Sequence, residues 1–151
     1  NLHLDCSAVE SEDQLTQVFQ QEFPVQDFFK FEMTTNSQIE ILRVPTNGVT
    51  FEYVDLFPGP FSLEALGLEF FLDSSDTLTD IRIHDTNLTT EGFFFSSLDL
   101  FPNLNMVDMS QSRLSYLPKL QHNNIQVLGF GFTDISSLDA GEQLEEFDEQ
   151  S

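Results

Sequence analysis

The sequence predicts an α/β solenoid, with a short parallel sheet on its concave side, an irregular convex side and about five to six stacked units. Three observations predict it. The first is a mixed apolar period. In FPNLNMVDMSQSRLSYLP, residues 101–118, Leu104, Val107, Met109 and Leu114 follow one another at steps of three, two and five. A helix would space them by three and four, and a lone strand would alternate throughout. A short alternating piece, Val107-x-Met109, therefore sits inside a longer turn. The second is recurrence. Leu78, Ile81, Ile83, Thr86 and Leu88 repeat the arrangement, and so do Ile125, Leu128, Phe130, Thr133 and Ile135. Looser copies run through Phe51, Val54, Leu56, Gly59 and Phe61, and through Phe28, Phe31, Met33 and Asn36, with Ile39 one place late. The third is spacing. Copies starting at 28, 51, 78, 104 and 125 lie 23, 27, 26 and 21 residues apart. Those steps fit the roughly 20–29 residues of the leucine-rich-repeat pattern L-x-x-L-x-L-x-x-N-x-L.

The pattern has a physical reading. Each unit supplies one short strand whose alternating residues point inward, and the chain then returns along the outer side. No unit buries its apolar face alone; its neighbours do that for it. The Asn position bonds backbone groups across the turn. Ser112, Thr86 and Thr133 can do part of this, whereas Gly59 cannot. A competing register through Ile39, Leu42, Val44, Asn47 and Val49 holds the better Asn but breaks the spacing on both sides.

Residues 1–27 read as a partial repeat followed by a helix, 28–138 as the repeats and 139–151 as an acidic tail. At the N-terminus, Leu2, Leu4, Ser7 and Val9 fit the end of a unit. Ser11 and Gln14 then form a capping-box pattern, and Leu15, Val18, Phe19 and Phe23 share one helical face. The tail, DAGEQLEEFDEQS, is a frayed helix or a disordered end. A solenoid needs capping units. With no cap motif after residue 138, Gly129-Phe130-Gly131-Phe132 would lie near an open edge, to be covered by the tail, another subunit or a longer natural chain.

Composition narrows the function classes. Twenty-six acidic residues against five Lys and Arg give a formal charge of -21. Such a charge repels phosphate backbones, which argues against nucleic acid, and attracts cations or basic surfaces. No apolar run approaches the ~20 residues of a membrane helix. The chain opens at Asn1 without a basic-then-apolar leader and so reads as a mature chain or a fragment. Cys6 is the one cysteine, which rules out an internal disulfide and by count alone points to a reducing compartment. Asn87-Leu88-Thr89 is a glycosylation sequon in a turn, which points to secretion.

The outward strand positions define a candidate protein-binding face. The central one is held by Glu32, Asp55, Arg82, Asp108 and Gly129, and the next by Thr34, Phe57, His84, Ser110 and Gly131. This predicts an acidic concave face with Arg82 and His84 at its middle, suited to a protein with basic and aromatic groups. Phenylalanine is abundant, at 17 residues with no Trp. Most of it should stack as a core spine. Phe29, Phe57 and Phe132 fall at outward positions, and together with Phe93 and Phe94 they are the candidates for holding a lipophilic ligand. Catalysis has little support. His3, His84 and His122 are scattered, and no triad order, phosphate loop or zinc spacing is present. His84-Asp85 beside Arg82 is the one suggestive cluster, and adjacent strand residues point to opposite faces. Asp73-Ser-Ser-Asp76 lacks the ligand count for calcium and fits a capping turn instead.

Several segments carry a resemblance. LDCSAVESEDQLTQVFQQEFPV (4–25), NGVTFEYVDL (47–56), SSLDLFPNL (96–104) and LSYLPKLQHNNIQVLGF (114–130) resemble crustacean secreted proteins of the family of the non-catalytic subunit of oplophorus-luciferin 2-monooxygenase. The resemblance implies a secreted, non-enzymatic leucine-rich-repeat subunit that accompanies another protein, in a homo- or hetero-oligomer, with no cofactor and no catalytic residues. It also implies further cysteines ahead of Asn1, one of which would pair with Cys6, and hence an oxidising compartment. Two alternatives stay open: a carrier of a carotenoid or luciferin-like molecule, and innate-immune recognition.

Overall fold

The computed structural model describes residues 2–33, 39–56, 63–84, 87–110, 112–118, 120, 124–129 and 137–138, with backbone alone at Leu128, Ser137 and Leu138. Strand β1 (His3–Asp5) is followed by helix α1 (Glu12–Phe19), β2 (Asp27–Met33), β3 (Ile41–Leu42), β4 (Thr50–Leu56), β5 (Ala65–Leu66), β6 (Asp80–Ile83), β7 (Met106–Asp108), β8 (Tyr116–Leu117), β9 (Val127–Gly129) and β10 (Ser137–Leu138). Short 3-10 turns at Leu68–Phe70, Leu72–Ser74 and Phe95–Leu100 connect them. The class is α/β, and the principal sheet has six parallel strands in the order β1-β2-β4-β6-β7-β9. Each strand pairs with the one that follows it in the chain on that side. Two-stranded parallel pieces, β3 with β5 and β8 with β10, form apart from it.

The register follows the inward residues. Leu4, Phe31, Val54, Ile81, Val107 and Leu128 stand in one row across the sheet. Met33, Leu56 and Ile83 form the next inward row. Phe31, Val54, Ile81, Met33, Leu56 and Ile83 are fully buried. Phe28 also packs on the core, whereas Phe29, one residue on, does not. The two residues that separate Phe28 from Phe31 thus break simple alternation, as the mixed period requires.

Beyond the sheet the chain returns over an aromatic centre. The Phe31 and Phe70 rings lie 5.0 Å apart, Phe31 and Phe51 5.2 Å, and Phe19 and Phe70 6.0 Å. A second group joins Phe93, Phe94 and Phe95, with Phe94 reaching Phe71 at 5.0 Å and Phe101 at 5.6 Å. Ile39, Leu42, Val44 and Val49 are buried as well, on the return path and not in the principal sheet. That is why their pattern competed in the sequence: they are apolar for the core but lie outside the principal sheet.

Helix α1 starts where the capping pattern places it. Ser11 Oγ accepts from Gln14 N at 3.2 Å, and Gln14 Oε1 accepts from the N–H of Glu10 at 2.7 Å, one residue before the cap. Leu15 and Phe19 are its buried residues.

The N-terminal register differs from the sequence expectation by two residues. Leu4, not Leu2, stands beside Phe31, and Cys6 N donates to Glu32 O at 2.8 Å. Cys6 thereby takes the place of Met33 in the first strand and is 4 % exposed. A pattern sought in leucines passes over a cysteine acting as a small apolar core residue. Burial, with Asp5 adding to it, pushes the Cys6 thiol up to about 11. The thiol should therefore fail to react with a disulfide reagent at pH 8 in the native chain and react at once in denaturant; native reactivity would show an open N-terminal strand.

One set of polar residues ties distant segments together. It lies just before Phe28, Phe51, Leu78, Leu104 and Ile125: Asp27, Thr50, Thr77, Asn103 and Asn124. Thr50 Oγ1 donates to Asp27 Oδ1 at 2.8 Å, Thr77 Oγ1 to Phe51 O at 2.9 Å, Asn103 Nδ2 to Asp76 O at 2.6 Å and Asn124 Nδ2 to Pro102 O at 2.8 Å. Thr50, Thr77, Asn103 and Asn124 thus each bond a segment 22 to 27 residues earlier in the chain. Of the positions expected to hold Asn, Ser112 donates its buried hydroxyl to Met109 O at 2.6 Å. Asn36, Gly59, Thr86 and Thr133 lie outside the described residues, as does the 139–151 tail. Asp73, weighed as a calcium ligand, instead clamps the turn before β4: its Oδ2 accepts from Gly48 N at 2.8 Å and Thr46 Oγ1 at 3.1 Å.

Candidate functional site

The open face of the principal sheet carries a row of side chains in strict register: Asp5, Glu32, Asp55, Arg82, Asp108 and Gly129. Neighbouring strands are about 4.8 Å apart, so the row brings these groups within ion-pairing reach of one another. The predicted central positions are therefore brought together. His84 follows Arg82 by two residues and joins them: its Nε2 lies 2.9 Å from Asp108 Oδ2. Phe57 and Phe132 lie outside the described residues, with Thr34, Asp85 and Gly131.

Two residues that sequence reasoning missed change the character of the face. Lys30 Nζ stands 3.3 Å from Glu32 Oε1 and 3.4 Å from Asp55 Oδ2. Tyr53, its register partner, lies under both cations, with Lys30 Nζ 5.5 Å and Arg82 Cζ 5.8 Å from the ring centroid. Both belong to the preceding outward row, which also runs through His3, Asp80, Met106 and Val127. The alternation that marked Glu32 and Asp55 as outward marks Lys30 and Tyr53 equally, two residues earlier. Lys30 thus joins Arg82 and His84 as a basic group threaded among the carboxylates of this face.

Titration follows from these contacts. Burial works to raise the Asp108 carboxyl, but the Ser110 hydroxyl at 2.8 Å, the Ser110 N–H at 3.2 Å and His84 outweigh it and hold the pKa below the usual carboxylate range. For Lys30, burial works to lower the ammonium, and Glu32 and Asp55 more than offset it. Burial pushes the Tyr53 phenol up, with Arg82 opposing. A carboxylate lowered on folding stabilises the fold above its unfolded pKa, near 4, and loses that contribution as pH falls through the folded value. The stability advantage of the native chain over Asp108→Asn should therefore be full at about pH 5 and shrink below about pH 4. Melting temperatures across that window check it, and a constant difference would show that Asp108 titrates as if unfolded.

Gly129 makes room for this arrangement. A Cβ there would lie 2.6 Å from Asp108 Oδ1 and 2.9 Å from its Cγ. The Asp108 carboxylate thus lies across the next strand, a position only glycine leaves open. Ser110 turns its hydroxyl to Asp108 and not to the imidazole of His84. The trio therefore holds the Asp108 carboxylate in place from both of its oxygens.

Comparison with family models, curated proteins and solved structures returned no match to this chain.

The lipophilic-ligand candidates separate. Phe93 and Phe94 are 6 % and 9 % exposed and belong to the core, a correction to their expected place on a ligand-binding surface. Consecutive aromatics bury readily here because the chain bends into the 3-10 turn that starts at Phe95, so their rings converge. Phe29 is half-buried, stacked on His3 at 5.9 Å and 6.4 Å from Tyr53. An open hollow at the end of α1 is lined by Gln20, Gln21, Glu22, Gln26 and Asn47 beside Phe19 and Phe23. Its polar walls suit water better than a lipophile. Asn87 of the sequon is half-buried and lies between β6 and the Thr89–Arg113 bridge, outside helix and strand. No group of three metal-ligating side chains occurs among the described residues, and no helix there is long and apolar enough to cross a membrane.

Proposed function

We propose that the chain is a leucine-rich-repeat solenoid, secreted and non-enzymatic, that serves as the binding subunit of a protein complex through the concave face of its sheet. The resemblance to the non-catalytic luciferase-subunit family is part of this reading. The observation that carries it is the sheet order: six parallel strands paired strictly in chain order, with one face open. A βαβ fold that winds both ways from a central strand would not give that order. Coils stacked in sequence give it directly, and coils of this kind recognise partners on the strand side.

Charge selects the partner class. A chain at -21 repels a second copy of itself, so a hetero-complex is favoured over self-association. The partner presents cationic groups to Glu32, Asp55 and Asp108. The carrier reading rested on exposed phenylalanines, and it loses Phe93 and Phe94 to the core.

The chain purified at low salt should carry a second polypeptide, and the double variant Asp55→Lys/Asp108→Lys should lose at least tenfold in affinity for it. Retention by the folded double variant would remove the face from the reading.

A further inference from the structure

Arg82 occupies an odd position for a chain so short of cations. It stands in register between Asp55 and Asp108, yet it makes no ion pair with either among the described residues. Asp108 has both oxygens engaged, Oδ1 by Ser110 and Oδ2 by His84. Asp55 gives Oδ2 to Lys30. The guanidinium lies instead over Tyr53, and its Nε is closed off from solvent without an acceptor. Next to it, Asp55 Oδ1 is closed off without a donor. Native structures seldom leave such atoms unpaired. Here an unmet donor and an unmet acceptor occupy adjacent places in one row.

We infer that Arg82 is an anion anchor, which takes a carboxylate of the partner while Asp55 takes a basic group beside it. This deepens the docking role proposed above and rests on it. Free anions are kept away by the overall charge of -21. A carboxylate arrives only on a surface that brings its own cation. The row crosses the strands at steps of about 4.8 Å. Side chains one turn apart on a helix have Cβ atoms about 5–6 Å apart. The occupant is therefore a helical face with Lys and Glu spaced one turn apart, laid across the strands. To meet its carboxylate as a two-point donor, Arg82 turns outward from the Tyr53 ring, which exposes the Nε that is closed off in the unoccupied face.

The binding measurement uses the wild-type chain, and variants at two arginines outside the face serve only to assign its signals. The sequence has three arginines, Arg43, Arg82 and Arg113, and their Nε–H groups can be resolved by nitrogen–proton NMR. Arg43→Lys and Arg113→Lys assign the Arg82 signal. The probe is an alanine-rich helical peptide with Lys-Ala-Ala-Ala-Glu-Ala-Ala-Ala-Lys, and the control replaces its Glu with Gln. At low salt, the Glu peptide should move the Arg82 Nε–H signal and bind at least fivefold tighter than the Gln peptide. Equal binding, with the Arg82 signal unmoved and Tyr53 perturbed, overturns the anchor and leaves the face as a docking surface. No response to either peptide also overturns it, and the co-purification of Asp55→Lys/Asp108→Lys then judges the docking role separately.

Discussion

Phe70→Ala should cost about 4 kcal/mol, the largest loss expected of any single substitution in the chain. Phe70 is fully buried, and its ring meets four others: Phe19 at 6.0 Å, Phe31 at 5.0 Å, Phe51 at 6.0 Å and Phe71 at 5.1 Å. Those partners come from α1, β2, β4 and the turn after β5. Removing the ring opens a void that no single element can close, because each wall belongs to a different element. Tyrosine fluorescence or circular dichroism in a urea titration measures the loss. A shift below about 1 kcal/mol would mean that this centre collapses readily, and that the aromatic stack is not what joins the helix to the sheet.

Gly92→Ala should cost about 3 kcal/mol, or about 6–12 °C in melting temperature for a chain of this size. A Cβ at Gly92 would collide with Glu64 O and lie 3.0 Å from Ala65 Cα. These are backbone atoms at the start of β5, so no side chain can swing aside. Moving apart would also break the bond from Leu66 N to Gly92 O, 2.7 Å long, beside β5. Calorimetry on the variant decides the point, and an unchanged melting temperature would show that Gly92 is loosely packed against β5.

The principal sheet was legible because its inward residues obey one strict rule. Val54, Ile81 and Val107 must all be apolar, and their spacing survives irregular turns. The outward row through Glu32, Asp55, Arg82 and Asp108 came with it, since alternation fixes one face once the other is known. The first strand slipped by two because Cys6 replaces the expected leucine at the position beside Met33. Lys30 and Tyr53 were missed for a different reason: they stand ahead of the alternating pieces Phe31-x-Met33 and Val54-x-Leu56, where the pattern fixes no face. The polar row was visible as Asp27, Thr50, Thr77, Asn103 and Asn124, one before each first apolar residue, yet polarity alone does not reveal which carbonyl it will reach. The burial of Phe93 and Phe94 depended on the path of a turn, which no periodicity encodes.

The side-chain bonds just ahead of the strands have a consequence for how this chain tolerates change. They tie the entry of each of four segments to a segment earlier in the chain. Residues gained or lost between two such entries leave those ties untouched. Intervals as different as 21 and 27 residues can therefore separate the strands of one ladder without slippage. Variation in this molecule should collect in the outer bends, and the entry to every strand should be the place where a one-residue insertion is least forgiven.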